Sequence, residues 1–152
     1  MKLRNELTPV SLLPKIQKLW TASAAKVRSI EAGYRPENGT PVFTVEGRYT
    51  SRGWTEWTQG FQFGSALLQF DATGETEFLE SGRRRTIDLM APHVTHVGVH
   101  DHGFNNVSTY GNLRRLILEG KVASDQGELD YTEVALKVSG AVQAARHVTT
   151  AY

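Results

Sequence analysis

Trp57-Thr58-Gln59-Gly60-Phe61-Gln62-Phe63-Gly64-Ser65-Ala66-Leu67-Leu68-Gln69-Phe70, followed by Asp71-Ala72-Thr73-Gly74-Glu75-Thr76-Glu77-Phe78-Leu79, is the stretch that decides the fold. Phe63, Leu67 and Phe70 recur at steps of four and three, which puts them on one face of a helix over 59–71, with Phe61 and Leu68 beside them. Asp71-Ala72-Thr73-Gly74 reads as a turn. A second helix follows over 75–90, with Phe78, Leu79, Leu89 and Met90 apolar, and Pro92 stops it. Two helices across a short turn make a helical hairpin.

The pattern extends in both directions. Residues 11–32 place Leu13, Ile16, Trp20, Ala24, Val27 and Ile30 at helical steps. Ser11 is the expected cap, Pro14 falls in the first turn, and Gly33 ends the helix. Residues 35–56 differ, because Pro36, Gly39, Pro41, Gly47 and Gly53 break any helix; Val42–Val45 and Arg48–Thr50 fit at most a short hairpin or loop. Downstream, Val107, Tyr110, Leu113, Leu116 and Ile117 mark a helix over 104–119 that closes at Gly120. Ser124, Asp125 and Gly127 form a loop. A last helix over 129–148 runs through Val134, Val138, Ala141, Ala145 and Val148. The expectation is an all-α chain of five helices in helical hairpins, with no named solenoid repeat.

Bulk properties narrow the function. A chain of 152 residues is about one domain, and 39% hydrophobic with 22% charged residues is a globular composition. A net charge of +1 gives no field that would recruit nucleic acid or an anionic membrane, so neither partner is expected. The absence of cysteine removes disulfides and thiolate chemistry and fits a reducing, cytoplasmic compartment. Lys2 and Arg4 are followed by Asn5, Glu6, Thr8 and Pro9 rather than an apolar run, so no signal peptide is expected, and no run is long enough to span a bilayer.

Chemistry concentrates in Val99-His100-Asp101-His102-Gly103-Phe104-Asn105-Asn106, where an acid sits between two imidazoles at the mouth of a helix. Asp101 reads as a helix N-cap, as a site carboxylate, or as both, since a cap fixes a carboxylate in place. His93, His96, His100 and His102 offer imidazole for a metal, but Pro92 and Gly98 break any common register, so no metal site is assigned. His93 and His96 read as solvated loop residues. Trp54 and Trp57 are core candidates by default, yet flat apolar rings with a polar edge also stack on sugars. Arg83-Arg84-Arg85 reads as a solvated helix face, with Glu80 and Asp88 one turn either side of Arg84.

Trp57-Thr58-Gln59-Gly60-Phe61-x-x-Gly64, the turn Ala72-Thr73-Gly74-Glu75-Thr76-Glu77-Phe78-Leu79, His100-Asp101-x-Gly103-Phe104 and Val134-Ala135-Leu136-Lys137 together resemble the N-terminal part of the unsaturated glucuronyl hydrolases, glycoside hydrolases of family 88. The match in order and spacing covers residues 50–146. The resemblance implies a partial (α/α)6 toroid, with residues 1–152 forming the N-terminal part of a single domain that is incomplete in this chain. It implies a substrate carrying a 4,5-unsaturated uronic acid at its non-reducing end, as lyases leave on polysaccharides. Hydration of the C4=C5 vinyl ether gives a hemiketal that rearranges and expels the rest of the chain, with no metal or organic cofactor. Asp101 falls on one of the family's two catalytic aspartates, His100 on its active-site neighbour, and Trp57 on an aromatic lining the sugar pocket. Protonating an enol ether calls for a carboxyl of raised pKa, and a second carboxylate nearby raises it. The family's second aspartate belongs to a segment beyond the helix ending near Arg146, so the rest of the toroid is the expected partner. His102, Asn105 and Asn106 depart from relatives, which tend to be apolar there. Two other readings are an unsaturated rhamnogalacturonyl hydrolase, which shares toroid and chemistry, and a non-catalytic helical carbohydrate-binding fragment.

Overall fold

The computed structural model describes residues 7–150 and is mostly helical, with 69% helix and 8% strand. The chain divides into two compact units between Gly33 and Tyr34.

The first unit is one long helix, α1 (Pro9–Gly33). It starts two residues before the expected cap. Thr8 and Ser11 exchange bonds, Thr8 N–H to Ser11 Oγ at 3.0 Å and Ser11 N–H to Thr8 Oγ1 at 3.1 Å, a capping box with Thr8 rather than Ser11 at the cap. Pro14 therefore sits in the second turn, beyond the position where its missing N–H is harmless. Val10, Leu13, Ile16 and Leu19 are exposed on this helix.

The second unit begins with a hairpin, β1 (Thr40–Val45) and β2 (Arg48–Arg52), longer than the sequence suggests. Its strands are antiparallel, Val45 opposite Arg48, and the two-residue turn Glu46-Gly47 takes positive φ at both positions (48° and 76°), which matches the twist of the strands. Helices α2 (Thr58–Thr73) and α3 (Thr76–Leu89) follow as the expected helical hairpin. Gly74 closes α2 in the left-handed region (φ 73°), with its N–H on the Phe70 carbonyl. Next come a short α4 (Ala91–Val94), a nine-residue π-helix (Gly103–Gly111) running directly into α5 (Asn112–Leu118), and α6 (Gln126–Ala145). Asp125 caps α6, its carboxylate accepting the Glu128 N–H at 2.8 Å.

Helix α2 is the centre of this unit, touching β1, α3, the π-helix and α5. Two apolar clusters form. One gathers Tyr34, Phe63, Met90, Val94, Tyr110 and Ala135; the other gathers Leu67, Leu113, Leu116 and Val122. Phe63, Leu67, Phe78, Tyr110, Leu113 and Leu116 are buried as their spacing predicts. Helix α6 departs from expectation. It buries Thr132, Ala135 and Ser139 and leaves Val134 56% exposed, while Leu136 and Val138 pack against the first apolar cluster. The arginine run is not simply solvated either: Arg83 pairs with Glu128 on α6, and Arg85 lies over the Tyr34 ring at 4.8 Å.

Candidate functional site

Two glycines on α2 set the geometry. A Cβ at Gly60 would lie 2.3 Å from the Asn105 Cα and 2.4 Å from the Phe104 carbonyl oxygen. One turn on, a Cβ at Gly64 would lie 2.4 Å from the Ser108 carbonyl oxygen. Backbone therefore meets backbone, and only glycine fits at either position. The Gly60 N–H donates to Asn105 Oδ1 at 3.0 Å, a buried bond that fixes the register between α2 and the π-helix.

The buried face of the π-helix is Asn105, Asn106, Thr109 and Tyr110. Side chains take up carbonyls along it: Thr109 Oγ1 donates to the Asn105 carbonyl at 2.7 Å, and Asn112 Nδ2 to the Ser108 carbonyl at 2.9 Å.

This contact joins segments far apart in sequence. Trp57 packs edge-on against Phe61 at 5.5 Å and lies 5.9 Å from Phe104; Phe61 and Phe104 are 5.3 Å apart. All three rings stay at least 40% exposed, so they form a surface cluster rather than core. Trp57 thus meets the His-Asp-x-Gly-Phe segment through Phe104. The Asp101 side chain is only 17% exposed, and its Oδ1 stands 3.7 Å from Nε2 of His100, which is 85% exposed. Asp101 does not cap the helix. The π-helix starts at Gly103, the residue before it makes no side-chain cap bond, and the tie to Asp101 is its backbone carbonyl, which accepts the Asn105 N–H at 3.0 Å.

His93 and His102 are buried, which corrects the reading of His93 as a solvated loop residue; His96 is half-buried. His93 Nε2 lies 2.8 Å from Gln59 Oε1, and Trp54 packs against both His93 (5.4 Å) and His96 (5.0 Å). Burial, and then the neighbouring His96 and His102, hold the His93 imidazole down at about 4, so it is neutral at pH 7 and its Nε2–H donates to Gln59. Among the described residues His93 Nδ1, Asn105 Nδ2 and Asn106 Oδ1 have no hydrogen-bond partner. No group of three or more metal-ligating side chains occurs among the described residues.

His102, Asn106 and Ser139 share bonds in the interior. Sequence reasoning missed this network. The available signal was the pairing of Gly60 and Gly64 four residues apart, which announces a close helix contact, beside two consecutive asparagines.

Compared with protein-family models, with curated proteins and with solved structures, the chain matches none. No helix among the described residues is long and apolar enough to cross a membrane.

Proposed function

We propose that this chain is the N-terminal portion of an unsaturated glucuronyl hydrolase-like enzyme of the (α/α)6 toroid class, acting on lyase-generated oligosaccharides. What supports the reading is one contact. The Trp57-Thr58-Gln59-Gly60-Phe61 segment and the His100-Asp101-x-Gly103-Phe104 segment, which carry the resemblance, meet through Gly60, Asn105 and the ring cluster of Trp57, Phe61 and Phe104. In this reading the Trp57 indole stacks on the sugar ring, and His100 contacts the substrate. Asp101 assists hydration of the C4=C5 bond: hydrogen adds to C4 and hydroxyl to C5, and the hemiketal opens with loss of the remaining chain from C1. This differs from two-carboxylate displacement at the anomeric carbon. The second carboxylate is assigned to a segment outside residues 1–152, and the reaction calls on no metal or organic cofactor.

The test is turnover of unsaturated disaccharides by the longest gene product containing this chain, read as loss of the double bond's ultraviolet absorbance. Asp101→Asn is expected to lower kcat about a thousandfold or more, as loss of an acid–base group does, with the melting temperature unchanged. Undiminished turnover in that variant removes the assignment. Competition between glucuronyl and rhamnogalacturonyl substrates separates the two hydrolase readings. The exposed aromatic cluster also suits a non-catalytic carbohydrate-binding module, which would bind uronic sugars without turnover.

A further inference from the structure

The loop carrying His100 and Asp101 is tied down by residues that the proposed reaction does not use. On one side, Gln143 Nε2 donates to the Val99 carbonyl at 3.2 Å, and Arg146 donates to the same oxygen. One turn earlier on α6, Ser139 Oγ lies 2.8 Å from His102 Nδ1, while His102 Nε2 lies 2.7 Å from the His96 carbonyl oxygen. A carbonyl only accepts, so Nε2 carries the hydrogen and Nδ1 accepts from the Ser139 hydroxyl. Asn106 Nδ2 completes the set, donating to Ser139 Oγ at 3.0 Å and to the His93 carbonyl at 3.1 Å. Its amide cannot be turned over, because Oδ1 would then face that carbonyl. A hydrogen on His102 Nδ1 would face the Asn106 amino group, 3.5 Å away, and would leave the Ser139 hydroxyl hydrogen without an acceptor in this set. Every donor and acceptor around His102 therefore agrees on one tautomer, in a buried place where a mismatch is expensive.

We propose that α6 clamps residues 96–102 through Ser139, Gln143 and Arg146, with His102 as the link, so that His100 and Asp101 are presented in one fixed geometry. These are positioning residues. Their consequence for turnover rests on the reading of Asp101 as the site carboxylate, while the clamp itself does not.

The experiment compares the parent chain with Ser139→Ala and with the double variant Gln143→Ala/Arg146→Ala. The double variant changes only partly or fully exposed side chains and keeps the test open if Ser139→Ala folds poorly. Amide hydrogen exchange over residues 96–101 is expected to quicken about tenfold, the scale of one lost hydrogen bond, with α2 and α3 unchanged. Ring nitrogen NMR of His102 at pH 7 is expected to report the Nε2–H tautomer in the parent and a mixture in Ser139→Ala. On unsaturated disaccharides, the double variant of the active gene product should lose about tenfold in kcat with KM held. Unchanged exchange in both variants, or an Nδ1–H tautomer in the parent, overturns the clamp. A loosened loop with unchanged kcat overturns the positioning role. A loosened loop in a protein whose parent form has no turnover keeps the clamp and removes the hydrolase reading.

Discussion

The two ends of α2 are built differently. Its N-terminal half, from Gln59 to Gly64, buries Phe63 among Tyr34, Met90 and Tyr110 but meets the π-helix through glycine contacts and polar groups, with Gln59, His93, Asn105, Asn106, His102 and Ser139 all inside. Its C-terminal half carries Leu67 into a cluster with Leu113, Leu116 and Val122, flanked by Phe70, Leu79 and Ile117. The rim of that cluster is an ion network: Asp71 takes Arg115 at 2.8 Å and Lys121 at 2.5 Å, and Glu119 takes both cations. The polar end leaves buried atoms unpaired, which costs stability, and its bonds are directional. The apolar end tolerates small shifts and supplies burial. The contrast teaches that one helix can hold a close, directional contact at one end and an apolar cluster with a charged rim at the other.

The comparison breaks first at Gly60. Gly60→Ala should destabilise by about 4 kcal/mol or more, since the new methyl collides with backbone and the Gly60–Asn105 bond is lost. Chemical denaturation measures this, and a loss below about 1 kcal/mol would mean the polar end is not closely packed. At the other end, Leu67→Ala should remove about 3 kcal/mol, equally at pH 8 and pH 5, because only a cavity is made.

Acid sharpens the contrast. His93 is held neutral down to about 4 in the folded chain against an ordinary 6.5, so between those values the unfolded chain binds the extra proton. Its contribution is complete above pH 6.5 and is lost as pH falls toward 4, roughly 2 kcal/mol between pH 8 and pH 5. His93→Gln, which keeps a donor for Gln59, should flatten that slope in melting curves; an unaltered slope would place the acid sensitivity elsewhere. The smallest effect belongs to the ion network. The Lys121 bond first, and then Arg115, hold the Asp71 carboxyl below the usual carboxylate range, yet both cations are partly exposed. Asp71→Asn should shift stability by less than about 1 kcal/mol, and less again in high salt.

Legibility in the sequence follows the same division. Helices α2, α3 and α5 could be read because apolar residues at three and four steps have one explanation. The hairpin was half-readable, since Glu46-Gly47 is a weaker turn signal than Asn-Gly. The face of α6 was misjudged because periodicity counts apolar residues and passes over Ser139, whose partners are His102 and Asn106. For the same reason His93 looked like a loop residue: an imidazole satisfied by a glutamine 34 positions away has no local signature. The π-helix left no trace either, since the apolar spacing over 104–119 reads as an ordinary helix.

That helix ties its buried face to a residue count. In α-helical geometry each residue turns the chain by about 100°. Deleting one residue between Asn106 and Thr109 would turn Asn105 and Asn106 by about that angle relative to Thr109 and Tyr110, and so away from the buried face the four share. Exposed positions such as Val107 are open to exchange of side chain. The length of the segment is not open to change, because it is the gauge that aligns the four.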